Sequence, residues 1–220
     1  MIENGFDEES FAAAEAARPE VASLTPGAIT LLHSGIVYPD ERDPTQLMMA
    51  LQRLRVSGAI EPSRLRIRFR AAVHDELLKG LARECGVDDM IETLPAVPYR
   101  DALHEMRCAD GLLVMQASNC NEQIPGKLYE YLRAARPILC LSDPVGDTAS
   151  LLRRAGVDTI APLDSVDSIA AILPRFVELV HAERAPLPTA SCVENASRRG
   201  RTGQLVKHFD RCLARAHALL

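Results

Sequence analysis

No two of the six cysteines (Cys85, Cys108, Cys120, Cys140, Cys192 and Cys212) form a Cys-x-x-Cys pair, and no Cys/His cluster stands at metal-ligand spacing. Scattered thiols of this kind fit a reducing compartment, so a cytoplasmic location is expected and neither a disulfide framework nor a metal site is. No charged segment followed by an apolar run opens the chain, and no apolar stretch approaches the ~18 residues that suggest a membrane span. Charge of one sign is never blocked together: 25 Lys and Arg are interspersed with 30 Asp and Glu for a formal net charge of −5. A nucleic-acid partner is therefore not expected.

The catalytic motifs that are missing narrow the function further. There is no Gly-x-x-x-x-Gly-Lys-[Ser/Thr], because Gly126-Lys127 is followed by Leu128. That removes the usual P-loop nucleotide hydrolase. No Gly-x-Gly-x-x-Gly occurs, which disfavours NAD and FAD dehydrogenases. Neither Gly-x-Ser-x-Gly nor His-Glu-x-x-His is found, so the common serine hydrolase and zinc protease readings fall away. The Asp-x-Asp triplet of metal-dependent sugar transfer is absent as well.

What is present is length and alternation. The 220 residues, 47% of them hydrophobic, are enough to bury one substantial core. Residues 1–27 are polar and Ala-rich with weak helical pattern, and read as a linker opening the domain. From residue 28, short β-type runs (28–34, 65–71, 90–94, 111–116, 137–141, 159–161) alternate with helical stretches (about 44–56, 75–85, 99–108, 126–135, 147–155, 165–183). Six βα units in a row predict an α/β fold, a Rossmann-like doubly wound parallel sheet, spanning residues 28–183. Residues 184–197, with Pro186 and Pro188, read as a loop, and 198–220 resume a helical period rich in Arg and His. The cluster Arg198-Arg199-Gly200-Arg201 is read as a solvated helix start.

In such a sheet ligands sit beyond the strand C-termini where strand order reverses, here between the first and fourth strands. Two loops are thereby singled out, His33 to Pro44 and Ala117 to Gly126. The second leads into Pro125-Gly126-Lys127-Leu128-Tyr129-Glu130-Tyr131-Leu132. Pro125 suits a helix start. The first-turn amides, the helix dipole and Lys127 together would attract an anion. Glu122 and Glu130, seven residues apart in between, bracket this turn. A carboxylate accepts from two vicinal hydroxyls at once, so two carboxylates in one pocket suit two sugar rings. Out of context either Glu is more often a surface residue complementing the dipole. His33 and His74 each follow a predicted strand and could face the crevice, although a lone histidine is more often structural.

This segment resembles the Glu-x7-Glu signature of the bacterial retaining GT-B glycosyltransferases of group 1, or family four, and in particular a subgroup with a Pro-x-Lys-x-Tyr-Glu-Tyr-Leu run. Other pieces agree in order: Asn4-Gly5-Phe6-Asp7, Ser34-Gly35-x2-Tyr38, Pro95-Ala96-Val97-Pro98-Tyr99, and Cys108-Ala109-Asp110-Gly111. The resemblance implies the C-terminal, donor-binding half of a GT-B fold. By it, Glu122 and Lys127 serve the reacting sugar and leaving group, and Glu130 holds the ribose. Gly35, Pro125, Gly126 and Arg42 would lie against the diphosphate, and Pro98 and Tyr99 against the base. Family members commonly place an Arg directly after the glycine of the first turn; here Ile36 stands there and Arg42 is the nearest cation.

The activity so implied is metal-independent, cofactor-free transfer from a nucleotide-diphosphate sugar to an acceptor sugar or lipid-linked glycan, as in polysaccharide biosynthesis. An N-terminal acceptor domain would be missing from this chain, and the whole protein could sit peripherally on the inner membrane. Two other readings stay open: a non-catalytic nucleotide-binding module, and a nucleotide-sugar epimerase of GT-B architecture.

Overall fold

The computed structural model describes the backbone of residues 2–217 and the side chains of residues 2–214. Its centre is a six-stranded, wholly parallel sheet in the order β3-β2-β1-β4-β5-β6. The strands are β1 (Ile29–Ser34), β2 (Leu65–Arg70), β3 (Ile91–Leu94), β4 (Gly111–Gln116), β5 (Ile138–Ser142) and β6 (Ile160–Ala161). Strand β1 pairs with β2 along its whole length and with β4 at Leu31 and Leu32, so strand order reverses at β1/β4 as expected. Strand β4, Gly-Leu-Leu-Val-Met-Gln, is buried at every position, the unbroken pattern of a strand covered on both faces.

Between the strands lie α2 (Thr45–Val56), α3 (Asp75–Glu84), α4 (Tyr99–Cys108), α5 (Gly126–Ala134), α6 (Asp147–Arg154) and α7 (Val166–His181). Two apolar clusters result, one on each face of the sheet. Leu31 joins α2 and α7 in the first, around Leu51, Leu173 and Phe176. Leu32 joins α4 and α5 in the second, around Leu103, Tyr129 and Leu132. Strand β2 keeps Leu65, Ile67 and Phe69 in the core and turns Arg68 and Arg70 to the other face. There Glu105 of α4 accepts from Arg70 Nε at 2.7 Å and from Arg68 Nη1 at 3.1 Å, while Glu92 takes Arg68 Nε at 2.7 Å. Pairing makes those largely buried guanidinium groups tolerable.

Two stretches differ from the sequence reading. The supposed linker 1–27 contains α1 (Glu8–Ala17), capped by Asp7, whose carboxylate accepts from Glu9 N at 3.3 Å and Ser10 Oγ at 2.6 Å. Its Ala-rich sequence carries little periodic signal, and the helix is fixed by tertiary contacts instead: Phe11 is buried edge-on against Phe6 at 6.0 Å, with Arg133 over its ring at 5.0 Å. Within 184–197, read as a loop, Ala190–Ala196 form a short helix, α8, after the prolines. Helix α9 (Arg198–His217) follows.

The first residues are clasped by this C-terminal pair of helices. Phe6 and Ser197 form a parallel bridge, with Phe6 N donating to Ala196 O at 3.1 Å and Arg198 N to Phe6 O at 2.9 Å. Gly5 makes the approach possible, since a Cβ there would lie 2.7 Å from the Ala196 carbonyl oxygen and 3.0 Å from Arg198 N. Those neighbours are backbone and cannot swing away, so Gly5→Ala is expected to destabilise the fold by about 1–3 kcal/mol, as overpacking does. Urea denaturation of the variant beside the wild type checks this; an unchanged midpoint would mean that the clasp contributes nothing.

Candidate functional site

The two loops singled out by the strand order meet at the C-terminal edge of the sheet. Ala117 N donates to Glu41 O at 2.7 Å, and the Asn119 amide donates to Asp40 O at 3.3 Å. The first turn after β1 passes through Gly35 at φ 108°, a region L side chains seldom enter. Its amide donates to Arg70 O at 2.8 Å. A Cβ on Gly35 would stand 3.3 Å from Lys127 Nζ, so this glycine also leaves room for the lysine.

Lys127 lies in the first turn of α5. Pro125 is the N-cap residue, at φ −63°, and no side chain caps the turn. The partial positive charge of the helix start is therefore left for another group to satisfy. Lys127 Nζ sits 2.9 Å from His33 Nε2. His33 is fully buried on β1, and its Nδ1 lies 3.1 Å from Leu113 O of β4. A carbonyl can only accept, so Nδ1 carries the proton and Nε2 presents a lone pair to the lysine. Burial, then the neighbouring Lys127 charge, hold the imidazole well below the usual histidine range, and it stays neutral. Burial, reinforced by Arg42, brings Lys127 down to about 7, with Glu130 opposing. Arg42 itself is held by Ile36 O at 2.9 Å and lies over the Tyr38 ring at 5.0 Å.

One turn along α5, Glu130 Oε1 accepts from the Tyr99 hydroxyl at 2.7 Å. Tyr99 opens α4 and Pro98 is its N-cap residue. The preceding loop is tied down where Arg70 Nη1 donates to Pro95 O at 2.7 Å. Burial and the Glu130 carboxylate push the Tyr99 phenol up, so it remains a donor. Tyr131, one turn beyond Lys127 on the same face of α5, is fully buried; its hydroxyl accepts from Ser34 N at 2.9 Å and reaches Leu32 O at 3.5 Å, locking α5 to the end of β1. At the mouth of the turn, the Asn4 side-chain amide lies 3.5 Å from where a Gly126 Cβ would be.

The structure thus brings Gly35, Arg42, Pro125, Gly126 and Lys127 to one place, with Pro98, Tyr99 and Glu130 beside it. Glu122 is different: it is exposed on the turn before α5 and makes no hydrogen bond or ion pair among the described residues. His74 is exposed at the start of α3, where its side chain caps nothing. Sequence reasoning missed Gln116. Buried at the end of β4, its amide donates to Cys120 O at 2.8 Å and Gln123 O at 2.9 Å, and Thr148 Oγ1 donates to its Oε1. It therefore shapes the whole loop before α5, and the available signal was a lone polar residue closing an apolar strand. Beside this loop runs an acidic cleft of about 510 Å³ lined by Asp40, Asp43, Asp143 and Asp164. Among the described residues no group of three His, Cys, Asp or Glu could hold a metal ion, and no helix is long and apolar enough to cross a membrane.

This architecture has the fold of one Rossmann-like half of several solved GT-B structures. Among solved structures, α,α-trehalose 6-phosphate synthase from Burkholderia multivorans is similar at a TM-score of 0.66 and 13% identity, over 98% of this chain and 51% of that one. Sucrose-phosphate synthase from Thermosynechococcus elongatus superposes at 0.63 and 11% identity, over 97% and 52%. AviGT4, a glycosyltransferase involved in avilamycin A biosynthesis, matches at 0.57 and 17% identity, over 97% and 58%. The chain thus spans about half the length of the structures it matches. No protein-family model and no curated protein matches the sequence.

A desolvated ammonium has a stability signature. In the unfolded chain Lys127 keeps its proton to about pH 10.4. In the folded chain it loses it near pH 7. The unfolded state binds more protons across that window, so this residue's destabilising effect is greatest below pH 7 and fades as pH rises towards 10. Lys127→Met is expected to be more stable than wild type at pH 6, on the order of a few kcal/mol, with the gap narrowing by pH 9.5. Thermal melts of both proteins across that range test this; a gap that widens with pH would contradict it.

Proposed function

We propose that this chain is the donor-binding half of a retaining, metal-independent glycosyltransferase that uses a nucleotide-diphosphate sugar. The observation that carries the reading is the Lys127 ammonium standing beside an uncapped helix start and a glycine turn. Backbone amides, a helix dipole and a cation converging on one spot make an anion site, and a diphosphate is the anion that also accounts for the groups around it. Glu130 offers a carboxylate already engaged with one hydroxyl, that of Tyr99, and so is suited to grip ribose hydroxyls. Pro98 and Tyr99 supply a flat, partly exposed surface for the base. Glu122, exposed on the preceding turn, is the remaining acceptor for hydroxyls of the transferred sugar.

As the bond between the anomeric carbon and the diphosphate oxygen breaks, negative charge grows on the leaving group. Lys127, the first-turn amides and Arg42 stabilise that charge in place, which lowers the barrier most because they need no rearrangement. Protonated Lys127 is the competent form. The acceptor, a sugar or lipid-linked glycan, would be presented by a second domain of comparable size across the cleft, and this half alone would bind donor weakly and transfer little. A cytoplasmic enzyme of polysaccharide assembly, peripheral to the inner membrane when whole, fits this reading.

Calorimetric titration with UDP-, GDP-, ADP- and dTDP-sugars should reveal one nucleotide series that binds, and Glu130→Ala should weaken it about tenfold or more, the size of effect expected when charge-assisted hydrogen bonds are lost. Equal affinity of variant and wild type for every donor would remove the reading. Binding should also be flat with pH below 7 and decline above it, because a bound diphosphate holds the Lys127 proton more tightly than the free site does. Affinity rising with pH through that interval would contradict the role of Lys127.

A further inference from the structure

We infer that His33 is a positioning residue for Lys127: a buried imidazole, held by its Nδ1 on a strand carbonyl, whose Nε2 receives one lysine N–H and so aims the ammonium at the anion site. The inference rests on the diphosphate reading and assigns a role to a residue on the floor of that site. Three observations carry it. His33 is fully buried, so no water competes for its ring nitrogens. Its Nδ1 is 3.1 Å from the Leu113 carbonyl, which fixes the tautomer. Its Nε2 is then left as an acceptor 2.9 Å from Lys127 Nζ, and the Ile36 carbonyl beside the ring is already taken by Arg42 Nη1 at 2.9 Å.

The arrangement solves a steric and electrostatic problem. A lysine side chain has four rotatable bonds and a strongly hydrated head, and loses much freedom when held still. Without an internal acceptor, an ammonium brought so close to the Gly35 turn would swing outward to water. With one, a single N–H is anchored and the other two remain for phosphate oxygens. The imidazole is itself held between strands, since β1 and β4 are hydrogen-bonded neighbours and the ring packs on Phe69 with centroids 5.7 Å apart. The lysine is thereby referenced to the rigid centre of the sheet instead of to a loop. The charged groups facing the pair are Arg42 from the β1 loop and Glu130 from α5.

Side-chain replacements can separate the two ring nitrogens. Asn places an amide N–H near the position of Nδ1 but has no atom at Nε2, whereas Gln extends an acceptor oxygen to about the position of Nε2. The chain has only three lysines, Lys79, Lys127 and Lys207, so effects on Lys127 can be followed individually. With inorganic pyrophosphate as the probe, binding followed by NMR should weaken about tenfold in His33→Asn, the loss expected for one charge-assisted hydrogen bond, and recover to within about threefold of wild type in His33→Gln. In a Lys127→Met background His33→Asn should have no further effect, because the pair acts as a unit. Equal weakening in both backgrounds would show His33 to be merely structural and overturn the proposal, as would unchanged binding in His33→Asn.

Long-range proton–nitrogen NMR on the unaltered chain decides the matter even if the variants do not fold. His33 should show a protonated Nδ1 and a bare Nε2, without titrating between pH 5 and 8. The opposite tautomer, or a ring that gains a proton in that interval, would also overturn it. Should wild type bind neither pyrophosphate nor any nucleotide sugar, the donor-site reading fails, while the tautomer measurement still decides the His33–Lys127 contact.

Discussion

Keeping an ammonium group in a partly desolvated setting is the constraint around which the crevice at the strand ends is arranged. A lysine partly withdrawn from water gives up some of its hydration, and the fold offers it one lone pair, from His33, in return. Every nearby feature serves that placement. Gly35 has no side chain where the lysine head must pass. Tyr131 ties the helix that carries Lys127 to the strand that carries His33, so the two cannot drift apart. Gln116 sets the path of the loop that delivers the chain to Pro125. Parallel pairing of β1 with β4 supplies the carbonyl that determines which way the imidazole is protonated.

That constraint explains why the site occupies the seam where strand order reverses. On either side of β1 the connections run off in opposite directions, and the helix after β4 starts in the gap between them. A helix start in that gap has unsatisfied amides facing out and an apolar cluster behind it. Most of α5 is buried, at Leu128, Tyr129, Tyr131 and Leu132, while Lys127 and Glu130 border the crevice. In the proposed anion site, stability and ligand binding pull against each other at Lys127.

Much of this was legible in the sequence because it follows from local pattern. The six strands and the helices between them declare themselves by period, and Gly111 to Gln116 could be read as a buried strand from its unbroken apolar run. The reversal point followed from strand count, and the spacing Pro125, Lys127, Glu130 placed the helix start. What could not be read depends on distant partners. Helix α1 has little amphipathic pattern, and exists because Phe11 finds Phe6 and Arg133 far along the chain. His33 looked like any lone histidine, since its partner is 94 residues away. Gln116 acquires its role only once two loop carbonyls and the Thr148 hydroxyl of α6 converge on it. The prolines at 186 and 188 suggested a loop, and the helix that follows is too short for periodicity to register.

The bond between Tyr99 and Glu130 bears on how discriminating such a crevice can be. Because the carboxylate already holds a phenolic hydroxyl, a ribose bound there as proposed would first exchange one O–H donor for another of similar strength. Only one carboxylate oxygen is engaged at rest, so a vicinal hydroxyl pair would replace one bond with two, and ribose contact would contribute affinity as well as selectivity for shape. Sugars or nucleosides without a suitably placed hydroxyl pair would leave the tyrosine where it is, and the resting contact acts as a reference against which every visiting ligand is compared.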